Sequence, residues 1–182
     1  MERQKAYKLI EEKVKTKNLV KHLLATEAVM EALSEHFGED PEIWGLAGLV
    51  HDIDYDLTKD DFSQHGKLGA EMLSKEGITD EKILHAVQAH SGNEAPKTTL
   101  ARALYCSDPL TGFLVACALI IPSKKIKDID VPFALSRFKE KRFAAGANRE
   151  TIETCKDIGL SLEEFIAIGL KAMQAISDDL GL

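Results

Sequence analysis

The feature that most constrains the fold is an apolar segment that runs directly into four polar side chains able to bind a cation. Asp40-Pro41-Glu42 is a strong helix start, because Asp caps a helix, Pro suits the first helical position and Glu complements the positive helix end. The following residues, through Val50, are apolar around most of the helix circumference, so this helix is predicted to be central. Its polar end, His51-Asp52-Ile53-Asp54-Tyr55-Asp56, is thereby placed inside the fold.

Apolar residues recur at helical spacing along the whole chain, and no segment shows the alternation expected of a strand. Asn18 and Thr79 are predicted to cap helices, and Gly38 and Gly77 are predicted to end them. The fold class predicted from this pattern is all-α. The predicted helices cover residues 2–15, 18–37, 41–52, 63–77, 79–90 and 99–121, followed by two that begin at Asn148 and Ser161, and residues 55–62 are predicted to form a loop.

The apolar segment 99–121 contains a carboxylate that needs a partner. Asp108 lies on the same helical stripe as Leu104 and Thr111, where an unpaired charge would be costly. Pro109 removes a backbone donor and disfavours helical geometry at Asp108, so the segment is predicted to be kinked, or split in two, at that point. The longest uninterrupted apolar part is too short to span a bilayer and is predicted to be a buried helix.

Composition narrows the class of protein. A chain of 182 residues with 45% hydrophobic content can bury one full core without disulfides or a structural metal. The formal net charge of -7 argues against a general nucleic-acid-binding surface. The N-terminus lacks an apolar signal core, and three cysteines without C-x-x-C spacing fit no disulfide framework, so a cytoplasmic protein without membrane attachment is expected. A monomer and a homodimer are both compatible with the sequence.

Six inward or helix-end side chains are candidate metal ligands, and they come from five predicted helical segments. Four imidazoles with two carboxylates suit one or two divalent ions, such as Fe, Mn, Zn, Co, Ni or Mg, and one carboxylate can bridge two ions. Two such ions can activate a water and stabilise the leaving oxygen of a phosphate ester. The six candidates are His22, His51, Asp52, His65, His90 and Asp108.

Each candidate also has a purely structural interpretation. His51-Asp52 could be a polar helix end, and Asp108 could cap the helix that follows it. His65 could be a surface residue in a first helical turn, and His90 a hydrogen-bonded core histidine. His65 and His90 together decide between one metal ion and two.

The order and spacing of these residues resemble the HD-domain metal-dependent phosphohydrolases, an all-helical family named for an adjacent His-Asp metal-binding pair. His22, the pair His51-Asp52 and Asp108 match the family's basic order, and His65 and His90 match the two further histidines of members that bind two metals. The resemblance implies a compact HD-domain helical bundle with additional C-terminal helices. Residues 18–121 are then the metal-site core of a single domain, and residues 122–182 are a C-terminal helical extension.

Within that family the chain looks closest to small stand-alone hydrolases of the "HDIG" kind, but it departs from their signature. The residues after the pair are Ile53-Asp54, so the glycine of the signature is absent. The Gly-Tyr-Pro signature of the cyclic-di-GMP phosphodiesterase branch is absent as well. That branch is therefore disfavoured.

Other polar residues near the predicted site were assigned by position alone. Asp52, Asp54 and Lys67 are the candidate catalytic residues, with Asp54, Asp56 and Lys67 suited to hydrogen-bonding support, proton transfer or phosphate binding. The basic segment from 137 to 149 could clamp an anion, although a solvated helix face with its phenylalanines in the core is favoured. His36 and His85 match no motif and are predicted to lie on the surface.

The function favoured by this reasoning is metal-dependent hydrolysis of a small phosphorylated metabolite, either a phosphomonoester or a phosphodiester, with a nucleotide or related compound as substrate. A metal-containing module that binds a nucleotide without hydrolysing it stays open, since the same ligands suit a sensing site. A di-iron oxygenase of the HD type stays open too, because helices that supply His and carboxylate ligands also hold iron pairs.

Overall fold

The computed structural model describes residues 1–182, and its regular structure is helical throughout. Several helices begin at a residue whose side chain accepts a hydrogen bond from the first turn, as at Asp40 and Ser161. Short 3₁₀ turns lie at Phe62–Gln64, Ile126–Asp128 and Thr154–Ile158. The helices are α1 (Arg3–Lys13), α2 (Lys17–Phe37), α3 (Pro41–Val50), α4 (Tyr55–Thr58), α5 (Lys67–Lys75), α6 (Glu81–His90), α7 (Thr99–Ile120), α8 (Val131–Phe138), α9 (Arg149–Glu153), α10 (Leu162–Ala175) and α11 (Ser177–Leu180).

The close packing of α3 against α2 places the polar end of α3 inside the molecule. Every residue of α3 from Trp44 to Val50 is buried, which agrees with the predicted central helix. Gly48 makes the approach possible, because a Cβ atom there would lie 2.8 Å from the carbonyl oxygen of Thr26 and 2.9 Å from the backbone of Glu27. The turn that begins at His51 is thus held against the middle of α2.

A second long helix, α7, closes the site from the other side and carries Asp108. It packs against α2, α6 and α9, and twelve of its 22 residues are buried. By length and composition alone it could cross a membrane, but buried core helices pass the same test. The helices after it, α8 to α11, cover the outer faces of α7 and α2, and the buried apolar side chains from Ala6 to Leu180 form one connected core.

The prediction of an all-α fold is confirmed, but several helix boundaries were wrong. The second helix begins after Thr16, whose side chain makes no cap bond in the helix, so Asn18 is not its cap. Asp80 caps α6 in place of Thr79, because its carboxylate accepts the N–H of Lys82. The predicted loop 55–62 contains the short helix α4.

Two further differences affect the site directly. The fourth predicted helix begins at Lys67 and not near Ser63, because His65 is extended and Gly66 has a φ of +80°. The segment 99–121 is one helix that continues through Pro109, so the alternative of two separate helices was wrong. The buried side chains on both sides of Pro109 outweigh the backbone hydrogen bond that proline removes.

Candidate metal centre

The six side chains that the sequence singles out as ligands converge on one place between α2, α3, α6 and α7. His22 comes from the second turn of α2, His51 and Asp52 follow α3, and His65 precedes α5. His90 is the last residue of α6 and Asp108 lies in the middle of α7. The structure therefore brings together residues that are up to 86 positions apart in the chain.

One part of the centre, called here the His22 group, consists of His22, His51 and Asp108. The Nε2 atoms of the two histidines are 3.2 Å apart, and Oδ1 of Asp108 lies 3.0 Å from Nε2 of His22 and 3.8 Å from Nε2 of His51. These three donor atoms satisfy the spacing of ligands around a single ion. The side chains of His22 and Asp108 remain 22% and 32% exposed, so this group faces solvent.

The other part, called here the His65 group, consists of His65 and His90. Their Nε2 atoms are 3.1 Å apart, and each lies 3.1 Å from Oδ1 of Asp52. Both side chains are buried. The other carboxylate oxygen of Asp52, Oδ2, lies 3.6 Å from Nε2 of His51 and 3.8 Å from Nε2 of His22. Asp52 thus presents one oxygen to each group.

All four imidazoles are oriented by a hydrogen bond from the ring nitrogen that points away from the centre. Nδ1 of His51 donates to the carbonyl oxygen of Gly48 at 2.7 Å, and Nδ1 of His90 donates to that of Val87 at 2.6 Å. The hydroxyl of Thr111 donates to the carbonyl of Asp108 at 2.9 Å, so it can accept from Nδ1 of His22 at 3.0 Å. Such bonds place the proton on Nδ1 and leave the lone pair of Nε2 facing inward.

Asp54 performs the same task for His65 and is enclosed by the protein. One of its oxygens accepts from Nδ1 of His65 at 2.9 Å, and the other accepts the backbone N–H groups of Gly66 and Gly69 at 2.9 and 2.8 Å. Gly66 is needed at this point, because a Cβ atom there would lie 2.6 Å from the carbonyl oxygen of Val87 and its φ is +80°. Asp54 therefore acts through His65 and does not face the centre itself.

The electrostatics of the centre favour positive charge among these donors. Burial opposes the charged form of His65, yet hydrogen bonds to Asp52 and Asp54 raise the pKa of His65 to about 9. Burial also opposes the charged form of His22, but the hydrogen bond and charge of Asp108 raise the pKa of His22 above its ordinary value. Conversely, the neighbouring histidines overcome the effect of burial and lower the pKa of Asp52 and of Asp108.

These features fit a divalent metal centre. Nε2 atoms of neighbouring histidines only 3.1 to 3.2 Å apart need a positive charge between them, either a proton shared by the two rings or a metal cation. Imidazole nitrogens with carboxylate oxygens suit zinc, iron, manganese and related ions, and the outward hydrogen bonds are those that usually accompany metal-binding histidines. The His/Asp clusters could therefore hold metal, with Asp52 between the two groups.

The remaining predicted residues lie outside this cluster. Lys67 is exposed at the start of α5, and its ammonium makes no hydrogen bond or ion pair. The carboxylate of Asp56 accepts from the backbone N–H of Lys15 and the hydroxyl of Thr16, so it fastens the loop between α1 and α2. His36 is exposed as expected. His85 is only partly exposed, since its Nε2 accepts from the backbone N–H of Lys97.

The basic segment 137–149 is not the solvated helix face that was favoured, because α8 ends at Phe138 and Arg149 is only partly exposed, but its two arginines have structural partners. The guanidinium of Arg149 donates to the carbonyl oxygens of Phe143, Ala144 and Ala147, and it stacks 4.8 Å from the ring centroid of Phe113. Arg137 pairs with Glu140. Neither arginine is free to clamp an anion in this arrangement.

Apart from Asp54, sequence reasoning missed the groups that orient the histidines. The hydroxyl of Thr111 lies 3.0 Å from Nδ1 of His22. The hydroxyl of Thr58 donates to the carbonyl of Asp54 at 3.0 Å and lies 3.2 Å from Nδ1 of His65. Only the position of Thr111 on the stripe of Asp108 could have pointed to it. The carbonyl groups of Gly48 and Val87 have no sequence signal, because any residue type carries one.

Comparison with known proteins agrees with this geometry. The HD domain family model matches residues 19–112, which is more than half of the chain. Ribonuclease Y of Lawsonia intracellularis is 26% identical over 167 residues, covering 82% of this chain and 32% of that protein. Ribonuclease Y of Nitratidesulfovibrio vulgaris is 26% identical over 166 residues with the same coverage, and that of Geobacter metallireducens is 30% identical over 97 residues, or 53% of this chain. The chain spans about a third of the length of the first two relatives.

Proposed function

Because the chain belongs to the HD domain family, we propose that it is a metal-dependent hydrolase of a small phosphoester, with a nucleotide or related metabolite as substrate. The observation that carries the proposal is the convergence of four inward-facing Nε2 atoms and two carboxylates, with one oxygen of Asp52 turned toward each group. A metal centre of this composition is suited to phosphoryl chemistry.

In this proposal the ligands are divided between two ions. His22, His51, Asp52 and Asp108 hold one, and His65 and His90 with Asp52 hold the second. Divalent ions at such sites supply positive charge to the phosphoryl oxygens and make water a nucleophile at neutral pH. The protein orients the ligands through Thr111, Asp54 and the two backbone carbonyls, and it leaves the His22 group open for the substrate.

The choice of a small substrate over a polymer rests on charge. The formal net charge is -7, and the concave surfaces beside His22 carry a single lysine and no arginine among their lining residues. A polyanionic strand would need several cations along its path. The proposal is therefore a compact phosphoester with one or a few negative charges.

Hydrolysis of an RNA phosphodiester is the second candidate, and similarity to Ribonuclease Y over 82% of the chain favours it. The two candidates differ in what they cleave under one set of conditions. A 5′-labelled single-stranded RNA of about twenty nucleotides, incubated with metal-loaded protein, should stay intact if the substrate is small, while phosphomonoesters and small diesters are turned over. Efficient cleavage of the RNA without turnover of small esters would favour the second candidate.

The proposal is tested by metal analysis of the purified protein, followed by a screen of phosphoesters with added Mn, Fe, Co, Ni or Mg. We expect bound metal and turnover in the wild type, and in His90→Ala loss of turnover together with loss of the ion held by the His65 group. His36→Ala is the matched control, because His36 is exposed and distant in sequence from every ligand. A protein that holds metal and binds a nucleotide, yet returns it chemically unchanged after long incubation, would be a binding module and not a hydrolase.

A further inference from the structure

The His22 group opens onto two concave regions that share His22 and Gly112. The first, called here the apolar pocket, lies between α2, the C-terminal half of α7 and the end of α11, with a volume of about 360 Å³. Its walls include Ala25, Val115, Leu119, Leu180 and Leu182. The second, called here the small-residue pocket, has Pro109, Ala116, Ala144, Gly146 and Ala147 on its walls and a volume of about 400 Å³.

The apolar pocket adjoins the open end of the metal centre. His22 lines it, and so does Thr111, whose hydroxyl orients His22. Its walls are otherwise mainly aliphatic, and Leu119 is half exposed even though it is a large apolar side chain. Its volume lies at the lower end of the range for small-molecule sites, about 300 to 1,000 Å³. It suits a group of aromatic or nucleoside size attached to the phosphate.

The charges of the lining residues limit how much negative charge the group bound in the apolar pocket can carry. Lys21 is the one Lys or Arg among the residues that line the two regions, and its ammonium already donates to the carbonyl oxygen of Leu180 at 2.7 Å. Asp108 adds a negative charge to the lining of the small-residue pocket. The negative charges of further phosphate groups would therefore have few cations to pair with. A neutral, partly apolar group would suit these lining residues better.

Gly112 lies where the apolar pocket and the small-residue pocket both adjoin His22, and it has no side chain to occupy that space. It lies on α7 directly after Thr111 and four residues after Asp108, and it is exposed. A Cβ atom added there meets no other atom within 4 Å, so neither the backbone conformation nor packing requires glycine. Glycine in a helix costs about 1 kcal/mol relative to alanine, which makes the open space at this position costly in stability.

We propose that the apolar pocket binds the leaving group of the phosphoester, a neutral and partly apolar alcohol, and that Gly112 admits this group beside His22. The inference rests on the proposed hydrolase function for the phosphate end of the substrate. It assigns Gly112 as a specificity-determining residue, because a larger side chain at this position would fill the entrance to the apolar pocket.

The experiment compares wild type with Gly112→Phe and Gly112→Ala, using two esters that share a phosphate and differ in the alcohol, 1-naphthyl phosphate and methyl phosphate. In Gly112→Phe we expect KM for 1-naphthyl phosphate to rise about tenfold or more, as for loss of one apolar pocket contact. The metal content should stay at the wild-type value, and KM for methyl phosphate and inhibition by inorganic phosphate should change far less than KM for 1-naphthyl phosphate. Gly112→Ala should resemble the wild type with both esters.

A binding measurement separates the pocket from the chemistry. Fluorescence titration of metal-loaded protein with 1-naphthol, the neutral product, should show binding to the wild type and about tenfold weaker binding to Gly112→Phe. If no ester is hydrolysed but 1-naphthol binding follows this pattern, the pocket assignment stands and the hydrolase proposal fails. Ala116→Phe is the control, because Ala116 lines only the small-residue pocket, and it should leave 1-naphthol binding unchanged.

Three results would overturn the inference. One is equal binding of 1-naphthol by the wild type and Gly112→Phe. Another is an equal loss of activity toward methyl and 1-naphthyl phosphate in Gly112→Phe, which would mean that the new side chain disturbs the centre itself. A greater loss of 1-naphthol binding in Ala116→Phe would place the alcohol in the small-residue pocket and would also overturn it.

Discussion

The two groups of the centre are built from the same ligand types but differ in how the protein supports them. The His65 group is buried, and His65 is oriented by a carboxylate that itself accepts two backbone N–H groups. The His22 group is partly open to solvent, and His22 is oriented by one hydroxyl. Charged, enclosed support holds a ligand more firmly than a neutral group near water. The His65 group is thus the rigidly held side of the centre, and the His22 group is the side that a substrate can reach.

Asp52 connects the two groups, so its loss should have the largest effect. In Asp52→Asn we expect metal to be lost from both groups and turnover to fall on the order of a thousandfold or more, as when a principal catalytic group is removed. Metal content and turnover measure this. The matched control is Asp56→Asn, which affects only the hydrogen bonds from Lys15 and Thr16, outside the metal-binding groups. Retention of metal in Asp52→Asn would contradict the bridging position.

The second prediction compares the stability cost of removing a histidine from the buried His65 group with the cost of removing one from the partly exposed His22 group. His90→Ala empties a buried position and leaves the carbonyl of Val87 without its donor, so the metal-free protein should lose about 2 to 4 kcal/mol of unfolding free energy. His22→Ala leaves a space that water can enter, and it should cost less than about 1 kcal/mol. Denaturant unfolding in the presence of chelator measures both. Equal losses would refute the difference in enclosure.

Asp54→Asn should weaken one group and leave the other nearly intact. The amide keeps the volume but removes the charge next to His65, and its NH₂ group cannot accept the N–H groups of Gly66 and Gly69. Loss of such support usually lowers metal affinity by about 10- to 100-fold. At limiting metal, the stoichiometry should fall from two ions to one. Unchanged stoichiometry and affinity would show that the hydrogen bonds of Asp54 do not act through His65.

Thr111→Val should have the smallest effect, because water can reach the exposed side of His22 and replace the hydroxyl. We expect metal affinity of the His22 group to fall by about tenfold or less, at the lower end for such partners. Thr111→Ser keeps the hydroxyl and should behave like the wild type. A larger loss in Thr111→Val than in Asp54→Asn would reverse the proposed order of the two groups.

Much of this centre was predictable because its ligands are rare polar residues at positions with a clear helical context. The apolar run before His51 placed the His-Asp pair inside the molecule, and the stripe of Asp108 pointed inward in the same way. Asp54 was predicted as a catalytic or hydrogen-bonding residue of the site, but not as the partner of His65. Its task depends on the turn at Gly66, which the sequence-based assignment placed inside a helix.

The sequence by itself determined the helical class, the inward direction of the ligands and the order in which they occur, since each follows from local periodicity and from the cost of burying an unpaired polar group. Tertiary structure alone decided which ligands share an oxygen of Asp52, which group faces solvent and where the pockets lie. Those features arise from contacts between α2, α3, α6 and α7, and no local pattern encodes the distance between helices that are far apart in the chain.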